Sequence, residues 1–298
     1  MKQVVILSGK GGTGKTSLTA ALAHLAHAGM NLVLADADVD AANLDLLLDP
    51  EKLEEHDFTG GFKAVIHGEA CTACGRCFEV CRFGAVIEPK PSGKTYGVDE
   101  SRCEGCNTCI YQCPEKAISN YRPVAGKWFR SSTPYGTLFH AEMNAGEENS
   151  GKLVSIVRKE AAEACVSTGC DLVLVDGPPG VGCPVIASCS GVDAAVITTE
   201  PGISSIHDLV RVAETLALFH VKPAVCINKS DINPKRRNEI VEFCSGEGIT
   251  FLGDIPFDEN VMKALSMRVP VTAAFPESPA ASAVADIWNR LRTLIEYP

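Results

Sequence analysis

Val4-Val5-Ile6-Leu7, followed by Gly9-Lys10-Gly11-Gly12-Thr13-Gly14-Lys15-Thr16, decides the fold. The apolar run is bounded by glycine and reads as a buried parallel strand. The second stretch fits G-x4-G-K-[ST], and Leu18, Ala21, Leu22 and Leu25 then recur at helical spacing. Strand, glycine-rich turn and helix in that order are the context of a phosphate-binding loop. Its glycines let the N–H groups from Gly11, Gly12, Thr13 and Gly14 wrap phosphate oxygens, and the helix N-terminus adds positive potential. Lys15 is expected to bridge the β- and γ-phosphates and Thr16 to bind Mg²⁺, with Ser17 beside them among the nucleotide-binding residues. Gly146-Glu147-Glu148-Asn149-Ser150-Gly151-Lys152 also fits G-x4-G-K, but Leu153 follows it and no apolar strand precedes it, so it is rejected.

Leu32-Val33-Leu34-Ala35 is the next strand and ends in Asp36-Ala37-Asp38-Val39-Asp40. Carboxylates at a strand's C-terminal edge stand where Mg²⁺ and an attacking water need them. The competing reading is a solvated acidic loop. Leu172-Val173-Leu174-Val175-Asp176 is a third strand, ending in the Asp of a Walker B element, with Gly177-Pro178-Pro179-Gly180 after it. Ala194–Thr199 and Ala224–Asn228 supply a fourth and a fifth. The fold class is therefore α/β, a mostly parallel sheet flanked by helices. Segment 131–152 is polar and glycine-containing and reads as a long loop.

The early loop lysine, Lys10, is the mark of a family. The sequence resembles the deviant Walker A ATPases, the group of MinD, ParA, the nitrogenase iron protein and the Mrp-type cluster carriers, over about residues 1–60 and 122–298. The resemblance implies an ATP-dependent homodimer, or a heterodimer with a paralogue, in which Lys10 reaches the partner's phosphates. It implies that Asp38 positions the water, that Asp36 and Asp176 support the metal, and that glycine N–H groups around Gly180 sense the γ-phosphate. Asn228-Lys229-Ser230-Asp231 matches the N-K-x-D guanine-reading motif. In the resembled family the equivalent Asn contacts adenine, and a segment of the type Ile255-Pro256-Phe257-Asp258 closes over the base. Mg-ATP is the expected ligand, with GTP open.

Eight of the fourteen cysteines fall in two sets, Cys71, Cys74, Cys77, Cys81 and Cys103, Cys106, Cys109, Cys113. Each reads C-x2-C-x2-C-x3-C, and a shift of 32 residues superposes them. Three thiolates from one tight loop suit three irons of one cubane, while the fourth cysteine, on the following helix, ligates the neighbouring cluster. The expected sets are Cys71, Cys74, Cys77 and Cys113 on one [4Fe–4S] cluster, and Cys103, Cys106, Cys109 and Cys81 on the other. Two four-cysteine zinc sites are the alternative. The segment resembles bacterial two-cluster ferredoxins over about residues 62–121. It departs from them where Arg82, not proline, follows Cys81. The organisation expected is a P-loop ATPase in residues 1–61 and 122–298, interrupted by an α+β ferredoxin domain at 62–121, with junctions at Gly60-Gly61 and Arg122-Pro123 that must lie close together.

A net charge of −10 argues against nucleic acid as the main partner. The Lys235-Arg236-Arg237 run reads as a solvated helix start. The opening apolar run is too short for a signal peptide, so the chain is expected to be cytoplasmic, with reduced thiols. Cys165, Cys170, Cys226 and Cys244 then read as small buried residues. The C-terminal stretch Val284, Ile287, Leu291, Leu294 has helical spacing. In MinD the C-terminus is an amphipathic membrane helix; here Asp286 and Glu296 offset Arg290 and Arg292, so a core helix without membrane insertion is expected.

Cys183 follows the Walker B Asp by seven residues, as a cluster-ligating cysteine does in the nitrogenase iron protein, but the second cysteine of that site is missing. A Cys183 pair facing across the dimer, with oxygen contacts from Glu147, Glu148 and Asn149, is one reading; a buried structural thiol is the other. The functional expectation is an ATP-driven dimer cycle coupled to electron transfer, or to metal or iron–sulfur cofactor assembly, on a client protein. The alternative is a MinD/ParA-like positioning ATPase with redox-sensing clusters.

Overall fold

The computed structural model describes residues 1–89, 93–144 and 150–296. The N-terminal apolar run forms β1 (Lys2–Ser8), and the glycine loop leads into α1 (Lys15–His27). Then follow β2 (Leu32–Asp36), α2 (Leu44–Leu48), β3 (Glu51–Thr59) and β4 (Lys63–Ile66). The cysteine-rich region holds α3 (Arg76–Val80), β5 (Val86–Ile87), β6 (Gly97–Val98), α4 (Thr108–Gln112) and β7 (Ile118–Tyr121). The chain continues through β8 (Val124–Thr133), β9 (Gly136–Met143), α5 (Ser150–Thr168), β10 (Leu172–Pro179), α6 (Cys183–Cys189) and β11 (Ala194–Thr199). It ends with α7 (Ser205–Leu218), β12 (Lys222–Asn228), α8 (Pro234–Gly246), β13 (Thr250–Ile255), α9 (Glu259–Ser266), α10 (Val271–Ala274) and α11 (Pro279–Glu296).

Nine strands form one sheet in the order β13-β12-β11-β1-β10-β2-β9-β8-β3. From β13 to β9 every adjacent pair is parallel. Val4–Leu7 and Leu172–Val175 are buried on both faces, as central parallel strands with helices on either side must be. The register sets Ile6 against Asp176 and Asp176 against Asp36. That alignment brings the phosphate loop, the Walker B Asp and the acidic loop to one C-terminal edge, the edge where such sheets bind ligands. The outer strand β3 is charged and almost wholly exposed, which discourages further strand pairing.

Segment 131–152 is not a loop. It contains the end of β8, all of β9 and the start of α5. Leu138 through Ala141 are all buried, and this short buried run outweighs the polar composition around it. Arg236 pairs with Glu239 within α8 and Arg237 with Asp254 on β13, so two charges of the basic run are balanced in place. In α11, Val284, Ile287 and Leu291 are buried and belong to the same cluster as α1 and β13 residues. Among the described residues no helix is long and apolar enough to cross a membrane.

Cys165 and Cys170, expected as separate thiols, are buried and disulfide-paired. The Cys170 N–H closes α5 onto the Cys165 carbonyl at 2.9 Å and brings the two side chains together.

The chain divides into two units, residues 1–56 with 128–142 and 150 onward, and residues 57–127 with 143–144. In the second unit, Gly60 donates to the Pro123 carbonyl at 2.9 Å, so its two connections run side by side. Here the 32-residue shift extends to the backbone. It maps α3 onto α4 and carries left-handed residues Ala73, Gly75 and Gly84 onto Gly105, Asn107 and Lys116. The strands exchange partners: β4 pairs with β7 and β5 with β6, so the opening strand of each half pairs with the closing strand of the other.

Candidate nucleotide site and cysteine-lined cavities

A cavity of about 900 Å³ opens above the phosphate loop. Gly11 through Ser17, Asp38 and Asn228 line it. Gly14 starts α1 at φ 85°, and a Cβ there would run into Asn228 Nδ2, so only glycine suits the position. Asn228 Nδ2 donates to the Thr13 carbonyl at 2.9 Å and ties β12 to the loop. Thr13 is 2% exposed, lines the cavity and has an Oγ1 without a hydrogen-bond partner. An orphaned buried hydroxyl in a ring of backbone amides fits a phosphate oxygen.

Beneath the loop, Lys15 Nζ lies 2.9 Å from Asp176 Oδ1 and 3.5 Å from Asp38 Oδ2. Thr16 Oγ1 donates to Asp176 Oδ2 at 2.7 Å, and Thr19 Oγ1 lies 3.0 Å from Asp176 Oδ1. Asp36 faces elsewhere. Its Oδ1 accepts from the Asp38 N–H at 3.0 Å, and its Oδ2 accepts from the N–H groups of Asn43 at 3.2 Å and Leu44 at 3.0 Å. These backbone bonds fix the acidic loop and the start of α2, and Asp36 does not line the cavity.

Other expected residues also stand back from the cavity lining. Lys10 is exposed, with its ammonium beside Gly202. Gly180 turns its N–H to the Ser8 carbonyl at 2.8 Å. Asp231 accepts the Phe257 N–H at 2.7 Å and so holds the turn after Pro256. Cys183 is exposed at the first position of α6 rather than in a loop. Glu147, Glu148 and Asn149 lie outside the described residues. The far wall was not anticipated: Leu47 on α2, Val261, Met262 and Leu265 on α9, and Arg268 just beyond it. Asp258, which caps α9 through the Asn260 N–H, was the sequence signal for a helix there.

The second unit contains two further cavities. Cys71, Cys74, Cys77 and Cys113 line one, and Cys81, Cys103, Cys106 and Cys109 line the other. Backbone N–H groups point at three of the sulfurs: Ala64 to Cys103 at 3.4 Å, Ala85 to Cys81 at 3.3 Å and Ala117 to Cys113 at 3.3 Å. Among the described residues, no three His, Cys, Asp or Glu side chains gather into a single-ion site.

A model of the CobQ/CobB/MinD/ParA nucleotide-binding domain matches residues 4–271. The chain belongs to the CobQ/CobB/MinD/ParA family. An uncharacterized protein of Methanocaldococcus jannaschii is 30% identical over 98% of this chain and 97% of its own. An uncharacterized ATP-binding protein of the same organism is 24% identical over 97% of this chain and 86% of its own. The septum site-determining protein MinD of Pyrococcus horikoshii, solved with Mg-ADP, shares the fold at a TM-score of 0.60 and 17% identity, covering 98% of this chain and 96% of that one. Residues 4–271 are therefore a nucleotide-binding domain of that family.

The charges of this nucleotide site are set by crowding. Burial works against the Lys15 ammonium, but Asp176, by charge and hydrogen bond, and then Asp36 and Asp38 raise its pKa above the ordinary lysine value. Burial first, and repulsion from Asp176 second, push Asp36 up to about 8. Burial also raises Asp38, against the pull of Lys15. Lys15 is thus a permanent cation among carboxylates whose own charge is costly there, a set that readily exchanges partners when phosphate and metal arrive.

Proposed function

We propose that this MinD/ParA-type ATPase couples ATP binding and hydrolysis to two [4Fe–4S] clusters held by residues 62–121. The cycle would deliver electrons to a client protein, or assemble a metal or iron–sulfur cofactor on it. One observation carries the reading: each cavity of the second unit is lined by three cysteines of one repeat and the fourth of the other. A single zinc ion draws its sulfurs to about 2.3 Å from one centre, whereas a cubane holds thiolates around a volume. Sulfurs that surround a void without gathering on a point support the cubane. N–H groups aimed at sulfur tune such a group's potential. The clusters supply one-electron storage.

On the ATPase side, Lys15 would leave Asp176 for the β- and γ-phosphates, and Thr16 would turn to Mg²⁺. Asp38, half-buried and within reach of Lys15, would hold the attacking water. Asp176 would support the metal, with Asp36 acting on it from behind through the loop. Lys10 would act across an ATP-dependent homodimer or paralogue heterodimer, and its exposure agrees with that. The exposure of Cys183 agrees with an accessible thiol in the same dimer.

A second reading, a MinD/ParA-like positioning ATPase with redox-sensing clusters, is the one the named relatives favour, because the solved neighbour is a septum site-determining protein. Anaerobic purification with iron counting, and EPR with and without ATP, separates the two. The first reading expects about eight irons per chain and an ATP-dependent change in the cluster signal. Cluster signals indifferent to ATP, with turnover that follows the cluster oxidation state, would favour the second. Iron-free protein with full ATPase activity would leave only the ATPase.

A further inference from the structure

Thr19 sits one turn beyond Lys15 on α1 and is fully buried. Its Oγ1 lies 3.0 Å from the Lys15 carbonyl and 3.0 Å from Asp176 Oδ1. A helical threonine has few χ1 choices, and the one that sets Oγ1 against the carbonyl four residues back here also aims it at Asp176. The hydroxyl carries one proton. The charged carboxylate is the stronger acceptor and takes it.

Asp176 has no exposed surface, and three side chains satisfy its carboxylate: Lys15, Thr16 and Thr19. Phosphate-loop chemistry gives two of them other work when Mg-ATP binds, Lys15 on phosphate and Thr16 on the metal. Of the three, only Thr19 is then left on Asp176. A buried carboxylate short of donors would rotate to find others, and so turn its oxygens away from the metal position.

We propose that Thr19 is a positioning residue that keeps the Asp176 carboxylate turned toward Thr16 while Mg-ATP is bound. This rests on the ATPase reading of the site. It requires Thr19 to act on metal affinity and not on the phosphate loop, because its hydroxyl reaches Asp176 and does not line the nucleotide cavity.

The test uses the full chain with Thr19→Val, which keeps the shape and removes the hydroxyl, and Thr19→Ser, which keeps the hydroxyl. ATP binding is followed by calorimetry in EDTA and across a Mg²⁺ titration, with hydrolysis read in parallel. Losing a hydrogen bond to a charged group should raise the Mg²⁺ concentration for half-maximal response about tenfold in Thr19→Val. ATP binding in EDTA should stay within about twofold of wild type, and Thr19→Ser should restore the Mg²⁺ response. If Thr19→Val does not fold, the same comparison is made between Thr19→Ala and Thr19→Ser. A wild-type Mg²⁺ response in the hydroxyl-free variant would overturn the proposal. So would an equal loss of ATP binding in EDTA, or a serine variant as impaired as the hydroxyl-free one. Failure of wild type itself to bind ATP would instead overturn the ATPase reading.

Discussion

Asn228 Nδ2 donates to the Thr13 carbonyl, so the residue expected to touch the base also braces the loop that holds the phosphates. Its Oδ1 is occupied as well, by the Lys229 N–H at 3.0 Å. Asn228→Ala should therefore weaken ATP and base-free tripolyphosphate alike. A lost neutral hydrogen bond of about 1 kcal/mol corresponds to roughly fivefold in each. Calorimetry with both ligands checks this; a loss confined to ATP would return Asn228 to the base.

Asp231 is held in the same manner. Its carboxylate anchors Phe257, and Ser230 donates to the Ile255 carbonyl at 3.1 Å, so the N-K-x-D segment clamps the turn at Pro256. Asp231→Ala should loosen that turn and weaken ATP and GTP by similar factors, leaving the ratio of the two affinities unchanged. Competition binding of the two nucleotides is the measurement. Selective loss of GTP would mean that Asp231 reads guanine.

Asp36 gives the protein a pH dependence. Its native pKa of about 8 lies above the ordinary value of 3.8, so between those values the folded protein holds a proton that the unfolded chain has released. Stability without added nucleotide should fall as pH rises through that window. Asp36→Asn, which cannot ionise, should flatten the slope. Urea unfolding at pH 5 and pH 8 on both proteins decides it, and an unchanged slope in the variant would place the titration elsewhere.

Gly105 occupies a left-handed turn at φ 60°, where a Cβ would run into the Phe62 carbonyl oxygen. Gly105→Ala should distort the loop between Cys103 and Cys106 and lower iron content by about four per chain, one cluster's worth. Replacing Cys71 and Cys74 should remove the other four. Iron analysis with both variants tests whether the two sites load independently.

Much of this was legible in the sequence because it is local. A strand, a glycine loop and a helix follow one another from Val4 to Leu25, and the two cysteine sets carry their own spacing. What was missed depends on contacts between distant segments. β9 is flanked by polar residues, and it is held as a strand by β8 on one side and by pairing of Val33–Ala35 with Thr137–Phe139 on the other. Asp36 and Asp231 looked like ligand-facing carboxylates, but nothing local says that backbone N–H groups at Leu44 and Phe257 arrive first. The α9 wall follows an ordinary amphipathic pattern, which gives no sign of what its Val261 and Leu265 will face.

The exchanged partners of the second unit make its two halves inseparable. Cys113 closes the cavity built around Cys71, Cys74 and Cys77, and Cys81 closes the other. A chain that lost either half would leave the survivor with three thiols around its own cavity, one open wall, a fourth thiol with no cavity to close, and both strands unpaired. The repeat is therefore a single unit for any truncation or graft: to trim or replace one half is to open the cavity and strip the strands of the other.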